Sequence, residues 1–296
     1  MSYLIHISIL VCIFAILAQS LNLLAGYTGL LSLAQAAFFG IGAYAYAIIA
    51  AHQSVPYPLA LLGAVLLTAL AGFLLSWPVV RFRDDYVVLL TFAFQVLMTS
   101  MMNNCYGLTG GPTGLPGIPP PRLHGWIAQS GLAHLILAGL TTIACFALLT
   151  VLVRSPLGRV LKAIREDEIW TRALGYNLNF YRISVFVLAS GMAGLAGGLY
   201  AGYLSFIDPT SFAVVESVFV LSIVVVGGAG SVLGPFTGAA LLVGLPEGLR
   251  LLGIPVAVAA NLRQIAYGLL LVLMVMWRPR GVHGFYGFGN RRQMKG

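Results

Sequence analysis

Few groups in this chain could do chemistry. Asp and Glu together number eight in 296 residues, and none is expected in the middle of an apolar stretch. That removes an intramembrane aspartyl protease and leaves little for a proton relay. The five histidines, His6, His52, His124, His134 and His283, are scattered and form no H-E-x-x-H pair, so each reads as an interfacial or packed ring rather than a metal ligand. Lysine occurs only at 162 and 295, neither after a phosphate-binding glycine loop. If nucleotide hydrolysis powers this protein, another chain must carry it. Cys12, Cys105 and Cys145 make no metal-ligand spacing, and a disulfide framework is not expected. The remaining candidates are Gln19, Asn22, Ser32, Gln35, Gln95 and Glu216, each suited to an interhelical hydrogen bond or to a ligand contact.

The strongest polar pattern runs from Ser155 to Gly175. Ser155 can cap a helix that starts at Pro156, where a missing N–H is harmless, and Gly175 suits the left-handed residue after its end. Leu157, Val160, Leu161 and Ile164 share one face, while Arg159, Lys162 and Glu166 share the other. Glu168 precedes Arg172 by four, the favourable order for a surface pair. Such a helix either docks into a groove on a partner or rests on lipid headgroups.

The elements that must hold these groups are membrane-spanning. Hydrophobic residues make up 59% of the chain and charged ones 8%, against roughly a quarter charged in a soluble domain. Mean hydropathy is +0.95. A soluble enzyme or binding module is excluded, and the long charge-free runs indicate helices rather than barrel strands. Apolar segments lie at about 3–24, 30–51, 58–80, 86–104, 131–153, 183–204, 214–228, 232–252 and 262–277. The expectation is an all-α polytopic membrane protein with about 8–10 transmembrane or re-entrant helices.

The formal charge of +8 and pI near 9.6 are explained by topology, without nucleic acid. Basic residues cluster at Arg81 and Arg83, at Arg154, Arg159, Lys162, Arg165, Arg172 and Arg182, and at Arg278, Arg280, Arg291, Arg292 and Lys295, which the positive-inside bias places in the cytoplasm. Loop 154–182 is then inside and 107–121 outside. The amino-terminal stretch lacks the basic region of a cleavable signal and reads as a retained span. Its first residue is outside if 30–51 is a full span, and inside if the region from Gly26 is re-entrant. Two glycine-rich breaks, Gly26-Tyr27-Thr28-Gly29 and Gly227-Gly228-Ala229-Gly230, stand in opposite halves of the sequence. Paired interrupted segments can line a transporter's pathway, although small residues also let helices pack closely.

Several stretches resemble the LivM-type permease subunit of branched-chain amino acid ABC importers. They are Ser20-Leu21-Asn22-Leu23-Leu24-Ala25-Gly26-Tyr27-Thr28-Gly29, Ala36-Ala37-Phe38-Phe39-Gly40, Leu108-Thr109-Gly110-Gly111-Pro112-Thr113-Gly114 and Gly158-Arg159-Val160-Leu161-Lys162-Ala163. Further on come Asp208-Pro209, Glu216-Ser217, Gly227-Gly228-Ala229-Gly230-Ser231 and Arg278-Pro279-Arg280-Gly281. The chain departs from the pattern at Ala34-Gln35, at Ile169-Trp170-Thr171 and at Ala229.

The resemblance implies the ABC importer permease fold, with residues 1–281 as one transmembrane domain containing a cytoplasmic coupling helix in loop 154–182, and 282–296 as a basic cytoplasmic tail. It implies a bacterial or archaeal inner-membrane protein that is not itself an enzyme. Expected partners are a LivH-type homologue, two ATP-binding subunits, an extracytoplasmic binding protein and membrane lipid. ATP and Mg would be bound in the ATP-binding subunits, and no cofactor or metal in this chain. Gly29, Ser32, Gln35, Gly228 and Ser231 are the candidate substrate path. Arg159, Lys162, Arg165, Glu166, Glu168, Arg172 and Gly175 are the candidate ATPase-coupling residues. A permease for urea or short amides, and a stand-alone secondary transporter or channel, are the alternatives.

Overall fold

The structure is a computed structural model and describes residues 2–51, 55–82, 84–123, 126–127, 130–251 and the single positions 268, 272, 276 and 282. His52, Arg83, His124, His283, most of the apolar segment 262–277, the 278–281 motif and most of the basic tail lie outside the described residues.

In hydrocarbon a backbone must satisfy its own polar groups, so the apolar runs become helices. These are α1 (Ser2–Leu21), α2 (Gln35–Ala51), α3 (Tyr57–Val79), α4 (Asp84–Asn104), the short α5 (Tyr106–Thr109), α6 (Gly131–Arg154), α7 (Pro156–Glu166), α8 (Glu168–Ala173), α9 (Leu178–Leu204), α10 (Val214–Gly227) and α11 (Gly234–Leu251). Five stretches are long and apolar enough to cross a membrane: Tyr3–Gly26, Tyr57–Val79, Tyr86–Asn104, Gly131–Arg154 and Leu178–Leu204. Three shorter apolar helices accompany them, α2, α10 and the first part of α11. The all-α polytopic architecture is as expected, and its mixture of full and partial spans is explained by the glycine breaks.

Helix α9 occupies the centre, packed against both α2 and α3. Small residues permit the approach: a side chain at Gly42 would collide with the Gly194 backbone, and one at Gly72 with Ser190. Helix α1 is surrounded by α6, α9, α10 and α11. At one end, β1 (Leu115–Pro116) pairs with β4 (Phe206–Ile207), and the amides of Gly117 and Ile118 both donate to Ser205 O at 3.1 Å. A second short pair joins β2 (Arg122–Leu123) to β3 (Trp126–Ile127). His6, near the start of α1, bonds Tyr203 near the end of α9 at 2.6 Å. Past the other end of α1, Gly26 and Tyr27 meet Arg165 and Lys162 of α7, so α1 runs from the Tyr203 end of the body toward the basic loop 154–182.

Of the described histidines, His6 and His134 both pack against the Tyr203 ring. Among the described residues no three His, Cys, Asp or Glu side chains are grouped to hold a metal ion, and Cys12, Cys105 and Cys145 are free thiols.

Candidate coupling and translocation site

The basic loop forms two helices where one was expected. Ser155 caps α7 by accepting from Gly158 N, with Pro156 in the first turn, and Gly175 takes the left-handed φ of +86°. Between them, Asp167 is extended at φ −150°, and its carboxylate accepts from Ile169 N at 2.9 Å and Trp170 N at 3.0 Å. An acidic side chain that captures the next two free N–H groups starts a new helix and interrupts the old one. Glu168 pairs with Arg172 at 3.4 Å as the spacing indicated, and with the buried Arg182 of α9 at 3.0 Å. This second partner fixes α8 to the transmembrane body.

Helix α7 keeps its apolar face for its own chain. Val160 and Ile164 pack with Leu178 and Tyr181, while Leu161 enters the main core. That face therefore rests neither on headgroups nor in a partner's groove. The exposed apolar surface lies on α8 and just beyond, where Ile169, Trp170 and Leu174 are 82%, 71% and 74% exposed. Arg159, Glu166 and Arg172 are exposed as well, whereas Lys162 and Arg165 are half-buried.

Both half-buried cations reach the first glycine break. Arg165 donates to Gly26 O, and the Lys162 ammonium lies 6.0 Å from the centre of the Tyr27 ring. Gly26 ends a π-helical turn, Asn22–Gly26, that continues α1; such turns put an extra residue in the helix and rotate the chain beyond them. From that turn the Asn22 amide grips the second break. Its Nδ2 donates to Ser231 O at 2.8 Å, and its Oδ1 accepts from Gly230 N at 2.8 Å. The two breaks thus meet, with a single amide as the bridge. Within the second break, the Ser231 hydroxyl accepts from Gly234 N at 2.8 Å and so caps α11, and Gly228 has φ +105°.

After the first break the chain returns in non-helical form and α2 starts only at Gln35. The first N–H groups of a helix have no partner within it. Here Ala36 N donates to Ser217 Oγ of α10 at 2.9 Å and Ala37 N to Gln95 Oε1 of α4 at 2.6 Å. Gln95 also accepts from Ser217 Oγ at 3.2 Å and donates from Nε2 to Phe212 O at 2.8 Å. The start of α2 is therefore already satisfied by protein groups and offers no open cradle for an anion. Of the candidate path residues, Gly228 and Ser231 belong to the joint gripped by Asn22, and Gly29, Ser32 and Gln35 to the return segment. Ser32 and Gln35 are fully buried and Ser231 nearly so. Ser20 Oγ lies 3.4 Å from Gln35 Oε1, while Gln35 Nε2 and both amide atoms of Gln19 are buried without a hydrogen-bond partner. Asn22 and Gln95 are visible in the sequence only as polar groups in apolar runs, with no signal for partners far along the chain.

Interrupted helices are thus joined to a structured basic loop. The family model described as "branched-chain amino acid transport system / permease component" matches residues 3–276. The chain belongs to that family. It is 35% identical to the high-affinity branched-chain amino acid transport system permease protein LivM of Escherichia coli, over 94% of this chain and 69% of the relative. It is 25% identical to the corresponding BraD protein of Pseudomonas aeruginosa, over 92% of this chain and 91% of the relative. The ribose import permease protein RbsC of Escherichia coli shares 32% identity over 40% of this chain and 38% of its own length. No solved structure matches. Membership of this permease family makes the chain a multi-pass transport subunit.

Proposed function

We propose that this chain, paired with a LivH-type homologue, forms the path of an ABC importer for branched-chain or other hydrophobic amino acids. A binding protein delivers the substrate from outside, and two ATP-binding subunits, which hold ATP and Mg, drive the cycle from the cytoplasm. Residues 1–281 act as one transmembrane domain in the cytoplasmic membrane, with 154–182 as the coupling loop and 282–296 as a basic tail. Lipid covers the exposed apolar faces of α3, α4 and α6.

The observation that carries this reading is the contact chain from Arg165 through Gly26 and Asn22 to Gly230 and Ser231. A push on the basic loop acts on both breaks in the membrane without a mobile linker in between. The test is leucine uptake in cells lacking their own permease of this family and expressing this chain with its partners. Arg165→Ala should lower uptake about tenfold, the size of an ordinary coupling free energy, while the chain still reaches the membrane and hydrolysis continues. Undiminished uptake would count against the coupling route. Unlabelled leucine should compete far better than urea; the reverse result would remove the amino acid assignment and leave the permease assignment standing.

A further inference from the structure

Two buried polar side chains share one cavity at the end of the body that faces away from the basic loop. Tyr57 is the first residue of α3, and His134 stands in the first turn of α6. The Tyr57 hydroxyl and His134 Nε2 are both buried with no hydrogen-bond partner among the described residues. Both residues line a space of about 10 Å³, which is walled further by Tyr203 of α9 and by apolar side chains such as Ile9, Ile13 and Leu137. Buried polar groups are paired in the large majority of cases, and in hydrocarbon an unpaired one is especially costly. Two of them on one cavity call for a shared partner.

Volume and wall chemistry decide what that partner is. One water needs about 10–15 Å³ on this measure, together with two to four polar groups to bond. Nothing larger fits. Among the described residues no Asp, Glu, Lys or Arg lines the space, so it suits a neutral molecule. The directions of the bonds follow from the neighbours. His134 Nδ1 lies 3.4 Å from Ser130 O, and a carbonyl only accepts, so the proton sits on Nδ1 and the neutral ring presents Nε2 as an acceptor. The Tyr57 hydroxyl is free to donate. The Tyr203 hydroxyl, 2.6 Å from His6 Nδ1, keeps acceptor capacity for a third bond.

We propose that this cavity is a binding site for a single structural water, which accepts from the Tyr57 hydroxyl and donates to His134 Nε2. Helices α3 and α6 share no extensive contact of their own. The water ties them together beside the end of α9, on the side of the membrane opposite the basic loop. The rings that hold it are positioned by packing: Tyr57 lies edge-on to Tyr46 at 5.7 Å and His134 edge-on to Tyr203 at 5.3 Å.

The test uses the full-length chain assembled with its partner subunits in lipid nanodiscs. A density map that resolves ordered water should show a peak at about 2.7–3.2 Å from both Tyr57 Oη and His134 Nε2. No peak there, or a direct bond between the two side chains, overturns the proposal. Thermal unfolding gives a second reading, in which the sign of the change is decisive. Tyr57→Phe keeps the ring and removes the hydroxyl. If that hydroxyl holds a water, the midpoint should fall by about 2 °C or more. If it is an unpaired buried group, its removal relieves a penalty, and an unchanged or raised midpoint overturns the proposal. His134→Phe should also lower the midpoint, and the double variant should lose less than the sum of the single losses, because one water serves both groups. Strictly additive losses overturn a shared water. Should Tyr57→Phe fail to assemble, the map of the unsubstituted protein decides alone.

Discussion

Between Gly227 and Gly234 the chain turns back sharply and closes on itself, with Ser231 capping α11 from three residues away. Between Gly26 and Gln35 it does the reverse. It unwinds through a π-helical turn, runs through residues 29–34 in non-helical form and begins α2 on hydroxyl and amide groups supplied by α10 and α4. Both breaks are built from glycine and small residues and are joined through Asn22, yet the second caps its own following helix, whereas the helix after the first starts on groups from α10 and α4. A locally closed turn moves as a unit. A segment held by long-range bonds can exchange them, and Arg165 of the basic loop touches this first segment. In the proposed transport cycle the first break is the part that changes and the second the part it moves against.

The largest test of that contrast is Gln95→Leu. It leaves Ala37 N without its acceptor, while Phe212 O keeps the Thr99 hydroxyl as a donor at 3.4 Å. For one orphaned backbone group the loss is about 1–3 kcal/mol. This exceeds the ~0.6 kcal/mol average of an interhelical side-chain bond, because backbone groups in hydrocarbon have no alternative partner. The thermal midpoint of the detergent-purified permease should fall clearly. An unchanged midpoint would mean that the start of α2 is satisfied in some other way, and the two breaks would then no longer differ in kind.

A smaller effect is expected from Ser231→Ala. It removes a helix cap worth about 1 kcal/mol, while the bonds from Asn22 go to the backbone at 230 and 231 and survive. The midpoint should drop slightly and uptake should remain. A loss of uptake with a normal midpoint would return Ser231 from a capping role to the substrate path and sharpen the comparison in the opposite direction.

Much of this arrangement is legible in the sequence because transfer energy and capping are local properties. Ser155, Pro156 and Gly175 mark the basic loop correctly, and the apolar runs mark the spans. Hydropathy reports only whether a residue tolerates hydrocarbon, so the run 30–51 gives no sign that its first residues are extended and that α2 starts at Gln35. Asp167 reads as one more charge on a helix, although its short carboxylate competes with the helix for backbone N–H groups. The Asn22 bridge spans 209 residues to Ser231, and no local pattern carries that pairing.

The smallest expected change in stability, and the most specific change in assembly, concerns the other pair of contrasting neighbours, α7 and α8. The apolar residues of α7 are buried against α9, so truncating Ile164 would leave a cavity in the chain itself. Trp170 on α8 is 71% exposed, and Trp170→Ala should move the chain's own stability by no more than about 0.5 kcal/mol. Trp, with a large apolar body and little conformational freedom, is the kind of residue on which interfaces concentrate their energy. Asp167 and the Glu168–Arg182 pair hold it in a fixed direction. Copurification of the ATP-binding subunits with Trp170→Ala should therefore weaken while the thermal midpoint of the isolated permease stays in place. Retained copurification would move the contact from α8 to the polar face of α7, where Arg159 and Glu166 are exposed, and charge reversal there would then have the effect that Trp170→Ala lacked.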